Sequence, residues 1–146
     1  MIVYHGSTEI IKSPDVVHSK KYLDFGRGFY ITTFENQAKK WAVRKGMRQE
    51  KAAIVNVYEL SEEWDDFKVL SFEKENEKWL DFVCACRKGQ PLNKEYDIII
   101  GNVADDDVFK TVDMYFRGLW DKEKVLAELR YYKMNNKICI INQEAL

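Results

Sequence analysis

Tyr96-Asp97-Ile98-Ile99-Ile100-Gly101 is a continuous apolar run of strand length that stops at a glycine. A half-exposed strand would alternate apolar and polar side chains, so an unbroken run predicts a strand buried on both faces, inside a sheet. The segments around it must supply its neighbours and its covering. Upstream, Ser71 as a cap, Glu73 and Glu75 in a first turn, and Phe72, Trp79, Phe82, Val83 and Cys86 at helical spacing predict a packing helix that stops at Arg87-Lys88-Gly89. Downstream, the acidic run Asp105-Asp106-Asp107 follows at once, Val108, Phe109, Val112 and Phe116 mark a helix ended by Gly118, and Val125, Leu126 and Leu129 mark another over residues 121–133. Residues 137–142 read as a closing strand.

The first half of the chain changes period in the same way. Residues 2–5 predict a short strand, and Gly28-Phe29-Tyr30-Ile31-Thr32 a second one after the turn signal Asp24-Phe25-Gly26-Arg27-Gly28. Thr33 is placed to cap a helix over residues 35–45 that closes at Gly46 and carries Ala38, Trp41 and Ala42 on one face, and residues 53–60 follow as a strand. Strands and helices interleave without βαβ regularity. The expectation is an α+β fold with a mostly antiparallel or mixed sheet and peripheral helices.

A chain of 146 residues with 46% hydrophobic and 14% aromatic content suffices for one sizeable core, and no repeat or low-complexity linker divides it, so residues 1–146 read as a single domain. Lys+Arg at 23 against Asp+Glu at 24 exclude global steering towards nucleic acid or an anionic membrane. The sequence contains no apolar run of membrane-spanning length and no signal-peptide pattern at its start, which predicts a cytoplasmic protein with no membrane partner. Cys84, Cys86 and Cys139 lack zinc-site spacing and read as reduced, buried thiols; no metal is expected, and His18, in a polar connection, is not spaced as a metal partner for His5.

His5, in Val3-Tyr4-His5-Gly6-Ser7, stands where the first strand should end. Taken alone it reads as a structural histidine, and Tyr30 as ordinary core. In their order and spacing, however, Val3-Tyr4-His5-Gly6-Ser7 and Asp24-Phe25-Gly26-Arg27-Gly28-Phe29-Tyr30-Ile31-Thr32 resemble the first two signature elements of ADP-ribosyltransferases of the histidine-tyrosine-glutamate type. With Gln37-Ala38-Lys39-Lys40-Trp41-Ala42, the stretch from Tyr96 to Asp106 and Asn135-Asn136-Lys137-Ile138-Cys139, the chain is more narrowly similar to a bacterial family of unknown-function domains thought to be such enzymes.

The resemblance implies an ADP-ribosyltransferase-like fold and NAD⁺ as a substrate, cleaved between nicotinamide and ribose through an oxocarbenium-like state. It implies that His5 hydrogen-bonds a ribose hydroxyl, that the Gly6 backbone accepts from and donates to the nicotinamide amide, that Ser7 belongs to the cofactor-binding set, and that Tyr30 stacks on the nicotinamide ring. Arg27, next to Gly28 in the glycine loop, is the implied pyrophosphate clamp. The third signature element departs from the pattern: where such transferases carry Glu, and this bacterial family more often Gln, Lys137 stands here, a cation beside a developing cation. Asp105 and Asp106 are the candidate substitute acids, or else caps of the helix that follows.

The expected activity is transfer of ADP-ribose to a macromolecular acceptor, as a toxin or defence effector partnered by an antitoxin or regulatory protein. The alternative is a non-catalytic dinucleotide- or partner-binding module that has lost its acid. A third reading, nucleic-acid binding through Lys40, Arg44, Arg48 and Lys51, lacks a matching set of base-stacking aromatics in the sequence.

Overall fold

The Ile98-Ile99-Ile100 run forms an inner strand of the larger sheet. The computed structural model describes residues 1–16, 25–72, 77–102, 106–129 and 136–146. In chain order the elements are β1 (Ile2–Ser7), β2 (Phe29–Ile31), α1 (Glu35–Gln49), β3 (Ile54–Glu59), β4 (Val69–Ser71), α2 (Glu77–Arg87), β5 (Ile98–Asn102), α3 (Asp106–Phe116), α4 (Lys122–Leu129) and β6 (Asn136–Ile140), with short 3-10 turns at Pro91–Glu95 and Gln143–Ala145. One sheet is the antiparallel pair β1-β3; the other has the order β2-β6-β5-β4 and is mixed, because only β4 and β5 run parallel. The fold is α+β.

Alternation along β5 distributes its side chains between two clusters. Ile98 lies with Phe29, Ile31, Ile138 and Ile140 on one face, packed against Val3 and Leu60. Ile99 lies with Tyr30 and Cys139 on the other, beneath Trp79, Leu80 and Val83 of α2, Val112 of α3 and Val125 of α4. Each large side chain withdrawn from water contributes roughly 1.5–3 kcal/mol, and Trp79, Leu80, Ile98, Ile99 and Ile140 are all fully buried. Cys84, Cys86 and Cys139 are buried and unbridged. No helix among the described residues is long and apolar enough to cross a membrane.

Several local expectations need correction. β1 runs to Ser7, so His5 is inside the strand, opposite Asn56, and not at its end. The residue before α1 is Phe34, which makes no side-chain cap; Thr32, not Thr33, accepts the Phe34 N–H through Oγ1 at 3.1 Å. The helix passes through Gly46 and stops at Glu50, whose φ of 54° is left-handed; Gly46 is kept small by the returning chain, since a Cβ there would lie 2.6 Å from the Lys51 carbonyl. Ser71 ends β4, a three-residue strand too short to show a period; α2 is described from Glu77, and the residues that Ser71 would cap lie outside the described ones. β6 runs from Asn136 to Ile140, ending before the expected 142. The expected first-turn residues Glu73 and Glu75, the turn residue Asp24, His18 and the 130–133 end of the last helix lie outside the described residues.

Candidate functional site

The two sheets meet through one backbone bridge among the described residues. Tyr4 N–H donates to the Thr32 carbonyl at 2.8 Å and Thr32 N–H to the Tyr4 carbonyl at 3.0 Å. On one side of this bridge β1 is committed to β3 and β2 to β6, and a cleft of about 650 Å³ opens, within the usual range for small-molecule sites. His5 and Ser7 of β1, Gly28, Phe29 and Tyr30 of the second motif, Trp41, Lys45, Arg48 and Gln49 of α1, and Lys137 of β6 all line it. The outer wall is the loop after β1, held in place by β3. Asn56 accepts the Ile11 N–H at 2.9 Å and donates to the Glu9 carbonyl at 3.0 Å, while the Tyr58 hydroxyl donates to the Ile11 carbonyl at 2.6 Å.

His5 is held on two sides. Its ring stacks on Phe29 with centroids 4.4 Å apart and planes at 25°, and Nδ1–H donates to the Tyr30 carbonyl at 2.6 Å. Burial pushes its pKa below the usual 6.5; the Tyr30 bond opposes this, and the positive charges of Lys45 and Lys137 add to it. The imidazole is therefore neutral at pH 7. With the proton fixed on Nδ1, Nε2 is a hydrogen-bond acceptor in a cleft wall.

The same shift has a consequence for stability. Unfolded His5 titrates near 6.5 and folded His5 below it, so as pH falls through 6.5 the unfolded state takes up a proton that the native state refuses. Stability should fall with a slope of up to about 1.4 kcal/mol per pH unit from this group, and the loss should level off below the folded pKa. Urea titrations between pH 7.5 and 5.5 should show a shallower loss for His5→Gln than for wild type. Parallel curves for the two proteins would mean that His5 titrates normally in the fold.

Tyr30 and Lys137, remote in sequence, are in contact. The Lys137 ammonium stands 4.9 Å from the Tyr30 ring centroid and 4.2 Å from that of Trp41, a cation against two aromatic rings. Register explains the meeting: Tyr30 pairs with Cys139, and Lys137, two residues earlier on β6, shares its face of the sheet. The Tyr30 hydroxyl donates to the Gly26 carbonyl and accepts the Phe25 N–H at 3.1 Å, so the ring is fixed at its far end and only 7% exposed. Gly28 passes so close to β6 that a Cβ would lie 2.5 Å from Cys139 Sγ.

The remaining candidates divide. Ser7 lines the cleft and is buried. Gly6 lies beneath α1, where a Cβ would lie 2.9 Å from the Ala42 nitrogen and overlap the Ala38 carbonyl. Strand alternation also turns the Gly6 backbone groups, like those of Tyr4, to the edge away from β3. Arg27 is exposed and is not among the described residues that line the cleft; its carbonyl accepts from Asn93 Nδ2 at 3.1 Å. The cations that do line it are Lys45, Arg48 and Lys137. Asp105 lies outside the described residues, and Asp106 is the first residue of α3. Among the described residues the cleft-lining carboxylates are Glu9 and Asp15.

Sequence reasoning missed Lys45, Gln49, Glu9 and Asp15, and named Arg48 only in the basic stripe with Lys40, Arg44 and Lys51. The one available signal was the spacing of Trp41, Lys45 and Arg48, which puts them on one stripe of α1.

The fold and site define an α+β protein with a cationic, aromatic-walled cleft between two sheets and a neutral histidine on one wall. The chain belongs to DUF3990, a family described as proteins of unknown function, which it matches over residues 1–146. No curated protein and no solved structure matches it.

Proposed function

We propose that the cleft binds NAD⁺ and that the protein is an ADP-ribosyltransferase acting on a macromolecular acceptor. The observation that carries this reading is His5, whose Nδ1 is committed to the Tyr30 carbonyl and whose neutral state leaves Nε2 as an acceptor for a ribose hydroxyl. Lys45 and Arg48 replace Arg27 as the groups suited to the pyrophosphate, since they line the same cleft and ammonium and guanidinium groups both favour phosphate oxygens. The chemistry comes from the dinucleotide, whose nicotinamide leaves with the bonding electrons and deposits positive charge on the ribose. The ribose carbon then bonds to a nucleophile of the acceptor, which gives up its proton, or to water when no acceptor is present; the chain binds and orients.

His5→Ala should weaken NAD⁺ binding about tenfold, the worth of one well-placed hydrogen bond, while a small change in melting temperature shows that the fold persists. Calorimetry checks both. No heat of binding from wild type at millimolar NAD⁺ would sink the reading.

One observation favours a second reading, a dinucleotide- or partner-binding module without turnover. The Lys137 ammonium occupies the space against Tyr30 and Trp41 that a stacked nicotinamide would need, and it brings positive charge where positive charge would develop. Incubation with NAD⁺ separates the two, because the module binds without releasing nicotinamide.

A further inference from the structure

Beside the His5 cleft lies a second hollow of about 530 Å³, which shares Trp41, Lys45, Arg48 and Lys137 with it and adds Arg44, Met47 and the backbone of Gly6. Four of these six side chains are cations, and no described carboxylate lines the hollow. In a chain with a formal net charge of -1 this is a pronounced segregation of charge. The negative end of the α1 dipole accounts for Arg48 in the last turn, but Lys137 arrives from β6. The geometry of the hollow therefore suits an anion.

The stripe continues beyond the hollow. Lys40, Arg44 and Arg48 recur every four residues of α1, a rise of about 6 Å per step, close to the spacing of successive phosphates along an extended strand. Trp41, on the same helix, supplies the aromatic surface that the basic residues alone lack, and Met47, 77% exposed, adds a polarizable apolar one. An acidic peptide would use the cations but leave Met47, and the Trp41 surface beside the Lys137 ammonium, without an apolar partner. In a duplex the bases are stacked on one another and closed to Trp41.

We propose that this hollow binds single-stranded nucleic acid, with phosphates along Lys40, Arg44 and Arg48 and a base against Trp41 and Met47. The inference stands apart from the dinucleotide reading, because the binding needs no NAD⁺ and is measured without it.

The test is fluorescence anisotropy with labelled twelve-nucleotide oligo-dT and oligo-U. Wild type should bind at micromolar protein in low salt, and contact with three or four phosphates should give a log–log salt slope of roughly −2 to −3. Arg44→Glu should weaken binding at least tenfold and make the slope shallower, whereas Trp41→Ala should weaken it about tenfold with the slope unchanged and Trp41→Phe should recover most of the loss. Met47→Glu, at an exposed position that the fold does not need, should also weaken binding. The proposal is overturned by no anisotropy change at 100 μM wild-type protein, by a duplex or polyglutamate competing as well as the oligonucleotide, or by wild-type binding in both Arg44→Glu and Met47→Glu.

Discussion

Lys137→Glu should raise nicotinamide release from NAD⁺ by ten- to a hundredfold. The ammonium stands within 5 Å of both the Tyr30 and Trp41 ring centroids, so a carboxylate reaching the same place would face the reacting ribose from the wall where the cation now is. Two unit charges ~4 Å apart interact by about 4 kcal/mol at an effective dielectric of ~20, and each ~1.4 kcal/mol is tenfold in rate. Screening by solvent at a half-buried position reduces that figure, hence the lower range. Lys137→Gln removes the repulsion without adding attraction and should give a smaller rise. A rate unchanged in both variants would take β6 out of the reacting part of the cleft, whereas NAD⁺ binding with no nicotinamide release from wild type or either variant would leave the binding-module reading in possession of the data.

Gly6→Ala should lower the melting temperature by on the order of 10 °C, although it adds a single methyl group. That methyl would overlap the Ala38 carbonyl and stand 2.9 Å from the Ala42 nitrogen, so α1 must move off β1 to admit it. Overpacking of this kind costs about 1–3 kcal/mol, and here the obstacle is helix backbone, which cannot change rotamer. Gly118→Ala makes the contrast. Gly118 follows α3 at φ 75°, and a methyl added there would meet nothing within 4 Å, so only the left-handed backbone is penalised, by about 1 kcal/mol. Equal melting temperatures for the two variants would mean that α1 is not seated on β1 in this way.

Legibility in the sequence followed the physics of each element. The Ile98-Ile99-Ile100 run was readable because burial on both faces leaves a pattern that needs no knowledge of the partners. β4 was not, because three residues carry no period and Ser71 satisfies the requirements of a helix cap just as well. The length of β1 was hidden for a different reason: its apolar residues stop at Tyr4, and Gly6 and Ser7 remain extended only because Val55 and Ile54 of β3 pair with them. His5, Tyr30 and Lys137 could be named from their motifs, and they line one cleft. The cleft's cations could not be chosen. Arg27 had the motif position and Lys45 and Arg48 did not, and which of them faces the cavity depends on how α1 lies across β1.

The bridge between Tyr4 and Thr32 also bears on the mechanics of the molecule. His5 rides on a ladder of six residue pairs and Lys137 on a separate ladder, and a single bridged pair transmits shear between them far less stiffly than either ladder does within itself. Side chains close the joint that the ladders leave open: His5 stacks on Phe29 and bonds the Tyr30 carbonyl, and Val3 packs with Ile31 and Ile138, so a parting of the sheets must break these contacts as well as the bridge. The Tyr4 and Thr32 amides are where hydrogen exchange would register that parting first.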